Sequence, residues 1–330
     1  KHPFLMAGFG LKAMRSARCL AHAYFRTEAG RALLAGIAGH AMVPLETAAS
    51  AAPALVLALA AHAAGWPFVK GGSRNLTSGL ISYLRSLGGE VITGWKVESL
   101  DELPAVRAVL LDVTPRQLLK IAGDRLPAKY RGKLEKYRYG MGVYKIDWAL
   151  KEPIPWRAPE CRLAGTVHLG GSLDEISDSE RKAWRGELND RPFVILAQQS
   201  LADPGRAPAG QHTAWGYCHV ANGFSGDRVG VIERQVERYA PGFRDCVLAR
   251  AVTTPLDFEQ RNANLVGGDI GGGAATLKQL LLRPTASFYR IPAKGLYLCS
   301  SSTPPGAGVH GMCGYFAAMA VLRAEGSDRN

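Results

Sequence analysis

A chain of 330 residues is long enough to bury a large core and to form two domains, and its 47% hydrophobic content is globular rather than disordered. Its charge of +12, from 40 Lys and Arg against 28 Asp and Glu, suits anionic partners better than cationic ones. Six scattered cysteines without a C-x-x-C pair, and no His/Cys group at zinc spacing, argue against a disulfide framework and a metal centre and for reduced thiols in a cytoplasmic protein.

The chain starts at Lys1 rather than Met, as an incomplete reading frame or a processed product would, and no apolar leader follows. Gly8 to Ala13, "GFGLKA", matches G-x-G-x-x-A with Glu28 about twenty residues on. Only seven residues precede it and no second strand follows, so the match is discounted. Residues 11–64 are rich in Ala, Leu and Arg and read as helices, with breaks near Gly36–Gly39 and Pro44. The apolar run Ala48 to Trp66 is mostly alanine and is interrupted by Pro53 and His62. It is expected to be buried or interfacial, since spanning a membrane takes ~20 strongly apolar residues.

A helix over 76–87 closed by Gly88-Gly89, strands over 91–97 and 108–113, and a helix from Arg116 to Ala122 give an α/β pattern. Residues 116–138 carry eight cations against Asp124 and Glu135. They read as a solvated helix face or as a surface for peripheral membrane contact; no nucleic-acid fold signature accompanies them. Strands follow over 143–150, 166–169, 193–198 and 212–220, the last placing Thr213, Trp215, Tyr217 and His219 on one face. A helix is expected over 229–240.

Two more glycine-rich stretches remain. "GGDIGGG", Gly267 to Gly273, gives backbone that a ligand can approach, or a bare loop. "LYLCSSSTPPGAGVHGMCGYFAA" orders a strand, a G-x-G-x-x-G turn over Gly306, Gly308 and Gly311, and a helix. The helix start offers free N–H groups and partial positive charge.

That last stretch resembles the C-terminal flavin-binding segment of the phytoene desaturase-like FAD-dependent oxidoreductases, within the wider amine oxidase-related group. "GGSRNLTSGLISYLRSLGGEVITGWKV" resembles the same family's central Gly-Gly–helix–strand segment, and "AVLLDVTPRQLL" its returning strand. The resemblance implies an α/β fold: a partial, discontinuous Rossmann-like FAD-binding domain without its first βαβ unit, plus a mixed-sheet α+β substrate domain. Residues 1–65 would be the helical part of the substrate domain, 66–125 part of the FAD-binding domain, 126–291 the mixed-sheet substrate domain and 292–330 the closing strand and helix of the FAD-binding domain.

It further implies FAD contacts from Val97, Thr303, Pro304, Gly306, Gly308, Val309, Gly311 and Met312, and hydride transfer from a small apolar or amine-like substrate to flavin. The family's N-terminal pyrophosphate loop is not among these residues, so the chain is expected to hold FAD poorly by itself and to be inactive. A non-catalytic partner subunit and a basic binding module are the alternatives. No catalytic residue is assigned: His310 and His219 read as structural, and Trp215 and Tyr217 as an apolar pocket wall or a packed sheet face.

Overall fold

The computed structural model describes residues 2–327. Its strands are β1 (Val109–Leu111), β2 (Gly142–Leu150), β3 (Val167–Leu169), β4 (Val194–Ala197), β5 (His212–Val220), β6 (Val247–Thr253) and β7 (Leu296–Leu298). Contacts group the chain into two compact units. One holds Lys1–Gly94, Val143–Ala221 and Ser225–Thr254; the other holds Trp95–Gly142, Asn222–Phe224 and Pro255–Asn330. Residues 66–94 therefore group with the first unit and 95–125 with the second.

The first unit is built on a five-stranded sheet in the order β3-β4-β5-β2-β6, with β3/β4, β4/β5 and β2/β6 antiparallel. Alternation along β5 separates its two faces. Trp215 and Tyr217 pack against a core formed by Leu20, Leu34, Ala35, Ala38, Phe193 and Ile195. On the other side, a Cβ on Gly216 would press on the Trp148 ring at 3.1 Å, so this position takes a glycine. Trp148 is buried and donates its indole N–H to Glu233 at 3.1 Å.

The helices of that core are Ala17–Tyr24, Glu28–Ala38, Ala51–Ala64 and Leu173–Arg185. Ser16 and Thr27 cap the first two through their hydroxyls, which satisfies N–H groups the first turn leaves free. Gly8 to Ala13 lies inside the helix Pro3–Ala13, so it forms no turn and no fingerprint. No described helix is long and apolar enough to cross a membrane.

The second unit is built on a parallel pair, β1 with β7, in the register Val109↔Leu296, Leu110↔Tyr297 and Leu111↔Leu298. Leu111, Leu118, Leu126, Tyr130, Leu134 and Leu298 form its core. The helix Pro115–Ala122 contributes Leu118 and Ala122, and the helix Met312–Ser327 follows β7. A parallel pair with helices beside it is suggestive of a partial dinucleotide-binding unit.

One expected element is absent. Residues 91–97 form no strand, although Val91, Ile92 and Val97 favour extended backbone. A strand exists by pairing, and no described strand lies beside this stretch; Ile92 is 67% exposed. Conversely, β6 and the helix Leu173–Arg185 have no counterpart in the sequence reading. The helix does carry a start signal, with the Ser172 hydroxyl accepting the Glu175 N–H at 3.2 Å.

Candidate functional site

In the second unit β7 runs into a turn whose conformation only glycine adopts readily. Gly306, Gly308 and Gly311 have φ of 104°, 150° and 65°. Thr303 is fully buried, and its hydroxyl donates to the Ser300 carbonyl at 2.7 Å. The Cys313 thiol reaches back to the carbonyls of Thr303 and Gly306 and fastens the turn to the helix it precedes. Beyond Gly306 the backbone is open: Val309 is 94% exposed, and the N–H groups of Ala307 to Gly311 make no hydrogen bond to any described residue. Met312 opens the helix and donates its N–H to His310 Nδ1 at 3.0 Å, so His310 is a capping residue. Thr303, Pro304, Gly306, Gly308, Val309, Gly311 and Met312 thus form one continuous turn. Val97 lies in the unpaired stretch beside the Lys96–Glu98 ion pair, and no hydrogen bond among the described residues ties it to the turn.

The loop Gly267 to Gly273 supports this turn from within the same unit. Asp269 is buried and accepts three backbone N–H groups, from Gly140 (2.7 Å), Gly271 (2.7 Å) and Gly273 (2.9 Å). Burial pushes its carboxyl above the ordinary aspartate range; those N–H groups and the nearby Arg283 oppose the shift. The Gly272 carbonyl accepts two hydroxyls, Tyr137 Oη at 2.8 Å and Ser302 Oγ at 2.6 Å. A Cβ on Gly272 would run into Ser301, and one on Gly273 into Tyr137. Both glycines are therefore fixed by close approach as well as by positive φ.

An open cleft of about 810 Å³ lies elsewhere in the unit, lined by Leu103, Val106, Arg107, Arg125 and Lys294. It sits at the starts of β1 and β7, whereas open α/β sheets bind ligands beyond the strand ends where the glycine turn lies. The cleft is thus not the candidate site. Cations in 116–138 are partly spent: Arg116 pairs with Glu259, Arg125 with Asp101 and Arg131 with Asp124. The helices Pro115–Ala122 and Ala128–Leu134 bury Leu118, Tyr130 and Leu134 in the core of the unit.

In the first unit the face carrying Trp215 and Tyr217 also gathers histidines. The Nε2 atoms of His40 and His168 lie 2.9 Å apart, and the buried His219 meets Glu180 at 2.7 Å. Burial first, and a neighbouring histidine second, lower His40 to about 4 and His168 to about 3. Both are neutral at physiological pH, one as donor and one as acceptor. His219 is thus a packed, hydrogen-bonded residue. The Trp215 and Tyr217 rings lie parallel, with centroids 6.0 Å apart, as part of a packed face.

No family model matches the chain. Among curated proteins it is 28% identical over 305 residues to rat pyridine nucleotide-disulfide oxidoreductase domain-containing protein 2, covering 78% of this chain and 51% of that one. It is 24% identical to the lycopene-forming phytoene desaturase of a Paracoccus species, covering 82% and 57%. The chain is thus distantly similar in sequence to oxidoreductases of these kinds. It spans about half the length of the curated relatives it matches. Its fold matches a Methanosarcina mazei oxidoreductase with a TM-score of 0.60 at 15% identity, over 94% of this chain and 68% of that one. Cyclohexylamine oxidase of Brevibacterium oxydans matches with a TM-score of 0.53 at 11% identity, over 95% and 68%.

The glycine turn fits a flavin. Its free N–H groups can donate to carbonyl or anionic oxygens, its glycines leave the backbone accessible to a flat ring, and the following 16-residue helix adds partial positive charge. Sequence reasoning located this turn. It missed the support beneath it, because Tyr137 and Arg283 come from distant segments and the sequence does not show that Asp269 and Ser302, within the quoted stretches, meet them.

Proposed function

We propose that the chain forms the substrate domain and the C-terminal cofactor-side part of a phytoene dehydrogenase-like FAD-dependent oxidoreductase. Bound flavin would supply the hydride acceptor for a small apolar or amine-like substrate. The observation that carries this reading is the row of unbonded N–H groups from Ala307 to Gly311 at the head of a long helix. Those groups and the glycine backbone bind and orient the ring, while Cys313, Ser302 and Tyr137 keep the turn in place. The amine-like alternative rests on the likeness to cyclohexylamine oxidase, and the apolar one on the phytoene desaturase. In residues 1–330 the only early G-x-G-x-x-A match is helical, so we infer that this chain by itself holds FAD weakly.

The test is flavin titration of the purified chain, followed by anaerobic addition of an amine or a polyene to the loaded protein. Bleaching of the flavin band by one class only would identify the substrate class. Bleaching by neither, with flavin bound, would sink the oxidase reading.

A second reading has one observation in its favour. The helix Ser73–Ser86 buries none of its residues and leaves Leu80 and Tyr83 63% and 65% exposed. An apolar stripe of that kind suits a chain that works as part of a larger assembly.

A further inference from the structure

Arg283 is only 4% exposed, yet much of its guanidinium is uncommitted. Nη2 donates to Tyr137 Oη at 3.1 Å and to the carbonyls of Gly271 at 3.2 Å and Gly273 at 3.5 Å. Nε is buried without a partner. Nη1 makes no hydrogen bond to a described residue and lies 3.2 Å from where a Cβ on Gly306 would stand. The nearby carboxylate, Asp269, has both oxygens occupied by backbone N–H groups. No ion pair to Arg283 is formed among the described residues. Asp269 thus offsets the Arg283 charge without bonding to it, which leaves buried donor capacity unsatisfied, and Nη1 lies at the turn that has its own free N–H groups.

We propose that Arg283 is an anion-binding residue of the glycine turn, offering Nη1 to an anionic oxygen of the bound ligand. The proposal rests on the flavin reading. Flavin nucleotides offer that oxygen from two sources: the electron-rich pyrimidine edge of the ring and the phosphate ester. Arginine suits both, since its planar fork keeps its charge at any working pH. The Gly306 position belongs to the same device, because a side chain there would press on Nη1.

The experiment titrates the intact chain and its Arg283→Met and Arg283→Lys variants with riboflavin, FMN and inorganic pyrophosphate. Flavin fluorescence and melting temperature are read together. Arg283→Met is expected to weaken FMN at least tenfold while the unliganded protein stays folded, and Arg283→Lys should recover part of the affinity. Loss confined to FMN and pyrophosphate assigns Arg283 to phosphate; loss that includes riboflavin but not pyrophosphate assigns it to the ring. Equal affinity of wild type and Arg283→Met for all three probes would overturn the inference and leave the flavin reading standing. If neither flavin binds but pyrophosphate stabilises the wild type and not Arg283→Met, the flavin reading falls and the anion site remains. If none of the three binds the wild type, both fall.

Discussion

Ser302 donates its hydroxyl to the Gly272 carbonyl at 2.6 Å, and this single bond ties the segment after β7 to the loop Gly267 to Gly273. Tyr137 donates to the same oxygen at 2.8 Å. Two buried hydroxyls on one carbonyl fix the loop from two sides. Ser302→Ala is expected to cost about 1 kcal/mol, the net worth of one buried hydrogen bond. Tyr137→Phe should cost more, because it also removes the Arg283 partner. Urea unfolding of both single variants and the double variant measures this. Because the two donors share an acceptor, their effects should fail to add.

Two glycines of the turn should respond differently to substitution. At Gly308, φ is 150° and a Cβ would sit 2.7 Å from the His310 ring. Gly308→Val is therefore expected to disturb the turn and its cap, with strain of order 1–3 kcal/mol. At Gly311, φ is 65° and a Cβ would meet nothing. Gly311→Asn should cost well under about 1 kcal/mol, since asparagine tolerates left-handed backbone. Thermal melts of the two variants give the comparison. Equal losses would show that His310 yields freely.

The His40–His168 pair makes stability depend on pH. Both values lie below the ordinary 6.5, near 4 and 3, because burial and a neighbouring histidine disfavour the cation. The unfolded chain therefore takes up these protons first as pH falls. Stability should be present in full well above pH 6.5 and decline as the pH drops toward 4, by on the order of 5 kcal/mol at pH 4.5, roughly half of it from each histidine. His40→Gln should flatten that decline. Urea midpoints at pH 7.5 and 4.5 for both proteins test it, and identical pH dependence would contradict the assignment.

Residue pattern made much of this architecture legible. Alternation in His212–Val220 gives a strand of those limits, with Trp215, Tyr217 and His219 on one face. Gly306, Gly308 and Gly311 announce a turn because positive φ and glycine go together. What pattern could not supply was partnership. Val91 to Val97 has strand composition and no strand beside it among the described residues. Val247 to Thr253, with Arg250 in its middle, is a strand because it pairs with β2. Arg283 and Asp269 gain their roles only when residues 137–140, 269–273 and 302–306 meet.

Flavin titration of the purified chain and of its Gly308→Val variant tests the central claim, that the turn after β7 is a flavin site. Quenching of riboflavin and FAD fluorescence is the readout. Saturable one-to-one binding is expected, with FAD held more weakly than about 1 μM, or −8 kcal/mol, and with at least a tenfold loss in Gly308→Val. Absence of saturable binding to the folded chain, or equal affinity in the variant, would contradict it.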